Sequence, residues 1–356
     1  MPFGHVAAFY LFDIGDAIDL RRVAEQIDAS TTTRLATKPP APIYLQYQQP
    51  PLLIDATAIG IGNVEGFRAR LKAFDYGVVS VALTRALPDT WEELLDAGLR
   101  WHDNVALASG AERLCRELLS RVHTAVSRPR SGFLSEDYLV FVIETDAGAE
   151  SADAIVTARG ALIAQLLRGE RDPLSAQERE EVLRHRLSYY TTDVVIATWS
   201  SALVYDTPLG ASGVLEILEF ANSQLLEFRY YDQLLDSELA RVYARLQSDD
   251  WRRTLIPRRY ARAARQVHSL FIDVNELTDK TENALKIAGD VYAARVFGLT
   301  AARLGLDQWK ASVREKLDTV DDIYRFAIER TSMARGEFLE LVVVLLILFE
   351  IVLLMH

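Results

Sequence analysis

Residues 193–208 read DVVIATWSSALVYDTP, and the chain changes character inside them. The runs Asp193–Thr198 and Ser201–Tyr205 have the length and the β-branched and aromatic content of strands. Pro208 follows, and sheet signals stop at about residue 206. A sheet-bearing part therefore comes before this point and a helical part after it.

Working back from this boundary, further strand signals are Val6–Phe12, Ile43–Tyr47, Leu52–Ala56, Tyr76–Leu83 (YGVVSVAL) and Leu139–Glu144 (LVFVIE). Helices are predicted at Asp19–Ile27, Pro88–Gly98, Trp101–Val126, Ala154–Leu167 and Ser175–His185. Ser175 and Glu178 have the spacing of a capping box, and Pro129 stops the helix that carries Leu107, Leu114, Leu118 and Val122. The fold class expected is α+β: a small mixed sheet body over residues 1–206 with helices on one face, in a ferredoxin-like βαββαβ rhythm.

Working forward, Leu218, Ala221, Leu225, Phe228, Tyr231, Leu235, Leu239, Val242 and Leu246 form one apolar stripe along a long helix. Pro257 opens a second helical stretch, and Gly305 with Asp307 reads as a stop and a new N-cap. Trp309, Val313, Leu317, Val320, Tyr324 and Ala327 then continue at heptad-like spacing. Residues 209–336 are thus read as a coiled-coil-like arm folded as a helical hairpin.

The arm leads into FLELVVVLLILFEIVLLM, residues 338–355, with only Glu340 and Glu350 ionisable. A run apolar on all sides must be buried in protein or in lipid, and about 20 residues span a bilayer. The expectation is a single C-terminal transmembrane helix carrying Leu341, Leu345, Phe349 and Glu350. Glu350 is costly in hydrocarbon and argues for the alternative, a buried oligomer seam. Arg325, Arg330 and Arg335 precede the run and no Lys or Arg follows it, which orients the N-terminal body to the cytoplasm at the inner membrane. The first twenty residues hold no Lys or Arg and no long apolar run, so no leader is expected there.

The chain has 356 residues, 50% of them hydrophobic and 25% charged, which suits folded domains rather than a disordered polymer. A net charge of -11 argues against a DNA-tracking surface. Cys115 is the single cysteine, which excludes an internal disulfide and, with six scattered His, a Cys-rich zinc site.

No dinucleotide, P-loop, zinc-protease, serine-hydrolase or EF-hand motif occurs, so neither a cofactor nor a catalytic residue is assigned. GIGNVEG, residues 60–66, reads as a turn. His102 beside Asp103, and His185 between Arg184 and Arg186, are the acid–base candidates, read as ordinary surface or interface histidines. Asp318, Asp321 and Asp322 read as a solvated helix face. The contrast to the overall acidity is WRRTLIPRRYARAAR, residues 251–265, where Arg252, Arg253, Arg258, Arg259, Arg262 and Arg265 stand without an acid. This patch is suited to anionic lipid headgroups, an RNA backbone or the chain's own acidic helices.

Four segments together resemble the family named for requirement in meiotic nuclear division and sporulation, domain of unknown function one-five-five. They are ATWSSALVYD (residues 197–206), FRYYDQLLDSELARVY (228–243), EKLDTVDDIY (315–324) and EFLELVVVLLILFEIV (337–352), with Leu341 where that family carries Trp. The resemblance implies a non-enzymatic membrane protein, oligomeric in some members, with relatives that support organellar translation. The expectation that results is a membrane-anchored scaffold that self-associates through its helices and holds a partner at the inner membrane, the ribosome being a candidate by family analogy. The alternatives are a CorA-like transporter or channel subunit, and an enzyme with an unrecognised site in the α+β part.

Overall fold

The computed structural model describes residues 3–27, 32–34, 47, 49–145, 150–247, 270–272, 274–275, 278, 291–323 and 325. Arg252, Arg253, Arg258, Arg259, Arg262 and Arg265 lie outside the described residues, as do Leu341, Leu345, Phe349, Glu350, the strand expected over most of 43–47 and the helical stretch opened by Pro257. Among the described residues no helix is long and apolar enough to cross a membrane.

In chain order the elements are β1 (Gly4–Asp13), β2 (Ala17–Ile18), α1 (Leu20–Gln26), β3 (Thr32–Arg34), β4 (Leu52–Asp55), β5 (Asn63–Val64), β6 (Phe67–Ala73), β7 (Val78–Ala86), α2 (Trp91–Trp101) and α3 (Val105–Val122). They continue with β8 (Val126–Ser127), β9 (Leu134–Glu144), α4 (Ala152–Arg168), α5 (Ala176–Arg184), β10 (Arg186–Leu187), β11 (Val194–Ala197), β12 (Ser201–Asp206), α6 (Pro208–Gln247) and α7 (Val291–Leu304). Residues 306–323 form a further helix.

The expected small sheet is instead one sheet of ten strands among the described residues, ordered β10-β11-β12-β9-β1-β7-β6-β4-β3 with β5 beside β6. β1 is antiparallel to both neighbours, with Phe9 opposite Ala82 of β7 and Tyr138 of β9, while β12 runs parallel to β9. A split βαβ unit would put a parallel strand beside β1, so the ferredoxin-like expectation does not hold. β2 and β8 form a separate two-stranded ladder.

Both faces of the sheet are covered, not one. On one face Tyr10, Phe12, Leu71, Val81, Leu83, Phe141 and Leu203 pack with Leu94 of α2, Leu107, Leu114 and Leu118 of α3, and Ile163 and Leu167 of α4. Burying each large apolar side chain contributes roughly 1.5–3 kcal/mol, which makes this layer the main stabilising term. The other face, with Leu11, Val140, Val142 and Val204 fully buried, meets the first half of α6. Here Lys72 Nζ lies 2.7 Å from Glu216 and also pairs with Glu219, and Tyr76 and Ser223 share a hydrogen bond of 2.6 Å. Phe220 of α6 meets Phe297 of α7 with ring centroids 6.0 Å apart and the rings tilted at 42°.

The long helix after Pro208 is present as α6, forty residues in length. The described residues divide into two compact units, one from 1–230 and 278–309, the other from 231–277 and 310–356. Within the second unit Asp232 accepts a 2.7 Å hydrogen bond from Ser312 and pairs with Lys316 at 2.8 Å, so residues 310–323 run beside the later part of α6. Gly305, at φ +68, ends α7 and the next helix restarts at once, which places Asp307 inside the first turn rather than at the N-cap.

Candidate functional site

The boundary expected between the helices Pro88–Gly98 and Trp101–Val126 falls later, at His102–Asn104, and that break builds the site. α2 closes at Trp101, His102 is its C-cap, Asp103 takes a left-handed backbone (φ 48), and Asn104 caps α3 by accepting from the Leu107 amide at 3.0 Å. A side chain with φ near +50 is uncommon and carries local strain, and it turns the chain sharply enough to bring His102 and Asp103 beside the sheet.

Three other segments complete a cleft of about 170 Å³. β1 and β9 supply Tyr10 and Asp137, which face each other across the ladder. The end of α4 supplies Arg168, Gly169 and Glu170. Gly169 is left-handed (φ +70), and a Cβ there would stand 3.0 Å from His102 Cγ, so glycine leaves the imidazole its place. The β11–β12 turn supplies Trp199 and Ser200. That turn is pinned from beneath: Tyr138 Oη donates to Thr198 O (3.0 Å) and Ser201 O (2.8 Å), and Ser201 Oγ donates to Leu167 O (2.7 Å). Trp199 stays 65% exposed at the mouth.

His102 Nε2 lies 2.8 Å from Leu166 O. A carbonyl only accepts, so Nε2 carries the proton and Nδ1 is left as the acceptor of a neutral ring. Burial pushes the His102 pKa down and outweighs the pull of Asp103 and Asp137, which favours that neutral form. Asp137 is held above the usual carboxylate range by burial and by the charge of Asp103. Burial, Asp137 and Asp103 push the Tyr10 phenol up, so it keeps its proton. Tyr10 is 8% exposed, lines the cleft, and its hydroxyl has no hydrogen-bond partner among the described residues. Arg168 is engaged by Glu178 at 2.6 Å. The cleft therefore offers a phenol donor, an imidazole acceptor, carboxylates and aromatic walls, without a hydroxyl or thiol nucleophile bonded to the imidazole among the described residues. Cys115 is buried in α3, where burial pushes its thiol pKa up.

The other residues singled out in the sequence lie elsewhere. His185 bonds Glu181 at 3.0 Å and stands 3.0 Å from Arg303 Nη1. Asp321 pairs with Arg325 at 2.8 Å along its own helix. Residues 60–66 turn at each end around the short strand β5, which pairs with β6, with Gly60 and Gly66 left-handed and the Gly66 amide donating to Asn63 Oδ1 at 2.8 Å. Sequence reasoning reached His102 and Asp103 but missed Tyr10, Asp137, Arg168 and Trp199, which lie in four separate segments and meet only in the fold.

The fold and cleft define an α+β domain with a mixed sheet covered on both faces and a polar recess at the β1–β9 edge of the α2–α3 break. The chain belongs to the family described as the N-terminal domain of the uncharacterized protein MJ0711, whose model matches residues 3–212 and so contains every residue of the cleft. It is similar to the uncharacterized protein MJ0711 of Methanocaldococcus jannaschii, 25% identical over 201 residues, 56% of this chain and 61% of that protein. The chain thus matches less than two thirds of that relative's length. No solved structure matches. The resemblance to the sporulation family is overturned by this assignment, since no model of that family matches the chain. Its segments shared apolar runs and heptad-like stripes, patterns that many unrelated long helices carry.

Proposed function

We propose that this chain is a non-enzymatic scaffold whose family domain recognises a small ligand in the cleft at His102. The observation that carries the reading is the Tyr10 hydroxyl, unpartnered among the described residues and lining a recess with the free acceptor side of His102 and with carboxylates. Binding rather than turnover is supported by the groups themselves: the His102 Nε2 proton is committed to a backbone carbonyl, and the tyrosine holds its own proton. A fragment screen by ligand-observed NMR on the full chain tests this. Hits that Trp199→Ala and Tyr10→Phe abolish are expected. A screen whose hits all survive both substitutions sinks the reading.

The second part of the proposal is that the helical portion holds the domain in a self-associating assembly at the inner face of the membrane. It is supported by α6, which continues for forty residues, by its ionic contacts with residues 310–323 in the second unit, and by the apolar run at 338–355. Full-length protein should sediment with membranes and emerge from detergent as an oligomer in light scattering. Recovery as a monomer in the soluble fraction without detergent excludes it.

A further inference from the structure

Resting on the ligand-binding reading above, we infer that the cleft takes a small organic cation, a primary ammonium group on a short apolar stem.

Charge is the first argument. Asp103, Asp137 and Glu170 line the recess, and none has an ion-pair partner among the described residues. The one guanidinium in the lining, Arg168, is already engaged by Glu178. His102 contributes no positive charge in its neutral form. The recess therefore presents acceptors and negative charge with no free cation among the described residues to answer them, and Asp137, opposite Tyr10 on the ladder, is the carboxylate best placed to take an ammonium partner.

The second argument is independent of charge. Trp101, Tyr10 and Trp199 are in the lining, and Trp199 holds a large aromatic surface in solvent at a turn that three buried hydrogen bonds fix from below. A tryptophan fixed at the mouth of the cleft offers its face to a ligand there, and aromatic faces attract cations. Tyr10, 8% exposed as a residue, lines the cleft with a hydroxyl that has no hydrogen-bond partner among the described residues and can accept from an ammonium N–H as a carboxylate accepts beside it. Size sets the rest. About 170 Å³ lies below the range of roughly 300–1,000 Å³ that holds drug-sized molecules, so only a short amine fits whole.

The test is a titration of the full chain with n-butylammonium, n-butanol and butyrate, read by ligand-observed NMR and by tryptophan fluorescence. The expected result is saturable butylammonium binding with a Kd on the order of 1 mM, at least tenfold weaker binding of the two isosteres, and at least tenfold loss in Asp137→Asn and in Trp199→Ala. Both substitutions are at exposed positions, and circular dichroism checks that each variant folds. A peptide carrying a single lysine, run beside the free amine, distinguishes a tethered ammonium from a free one; tighter binding of the peptide overturns the free-amine assignment. Equal or tighter binding of butanol or butyrate overturns the cation inference while the ligand-binding reading stands. Absence of any binding by all three probes overturns the inference, and the fragment screen then decides whether the broader reading falls with it.

Discussion

Lys72 is 4% exposed and sits between two carboxylates of α6, Glu216 and Glu219. Burial alone would discharge the amine, yet the two carboxylates outweigh it and hold its pKa above the ordinary lysine value. Removing the cation leaves buried Glu219, with the half-buried Glu216 beside it, without compensation. Lys72→Met should therefore cost about 3–5 kcal/mol in urea unfolding, and adding Glu219→Gln should recover part of that. A loss below about 1 kcal/mol would show that the pair contributes little. Asp13 behaves in the opposite way. It is fully buried, paired with Arg130 at 2.5 Å, and its Oδ1 has no hydrogen-bond partner among the described residues. Burial outweighs the arginine and raises its pKa from 3.8 to about 6. The folded state then holds a proton that the unfolded chain has released, so this contribution to stability is complete below pH 3.8 and is lost as the pH rises through about 6. Asp13→Asn should flatten that decline, by on the order of 1–2 kcal/mol between pH 4 and pH 7 in thermal unfolding, with Arg130 still held by Asp16 at 2.8 Å. An unchanged pH slope would assign the effect to other groups.

At the scale of elements, Gly98 decides how closely α2 approaches α4. A Cβ at that position would stand 2.3 Å from Leu166 Cδ1 and 3.3 Å from the Phe141 ring. Alanine normally favours a helix over glycine by roughly 0.5–1 kcal/mol, but overpacking here opposes it with about 1–3 kcal/mol. Gly98→Ala should lower the unfolding midpoint and, by displacing Leu166, loosen the carbonyl that holds His102; a stabilised variant would refute the packing argument. The long apolar strands were legible from their run lengths: Val6–Phe12 became Gly4–Asp13, and YGVVSVAL became Val78–Ala86. FRARLKA, residues 67–73, was not read as a strand because three basic residues alternate with its apolar ones. That alternation was itself the strand signal, and the basic face is what meets α6 through Lys72. The α2–α3 break is legible, but its position is shifted: it is expected between Gly98 and Trp101 and falls at His102–Asn104, because apolar periodicity carries α2 on to Trp101 and only Asn104, a capping residue, marks the new start. The cleft was illegible beyond His102 and Asp103 because cross-strand register and turn geometry, not spacing, bring its other residues together.

At the scale of the whole molecule, the two compact units should differ in how they respond to a single lesion. Asp232, 8% exposed, is satisfied by Ser312 and Lys316, and Lys316 also reaches Asp236 at 2.6 Å. Lys316→Ala should cost the second unit about 1–3 kcal/mol. In hydrogen exchange, amides of 231–247 should lose protection while those of β1 and β9 keep theirs. Equal losses in both would mean that the units open together. The pairing of β1 has a consequence for how the molecule is made. β1 ends at residue 13, its neighbour β7 begins at 78 and its neighbour β9 at 134, and both pairings are required to seat it in the middle of the sheet. At roughly 5–20 residues per second of synthesis, β1 waits about 3–13 seconds for β7 and about 6–24 seconds for β9, so at least one of its edges stays unpaired throughout. Newly made chains therefore pass through an interval of exposure to aggregation, and yield in a cell should rise with slower initiation or added chaperone holdase capacity more than with any substitution in the finished fold.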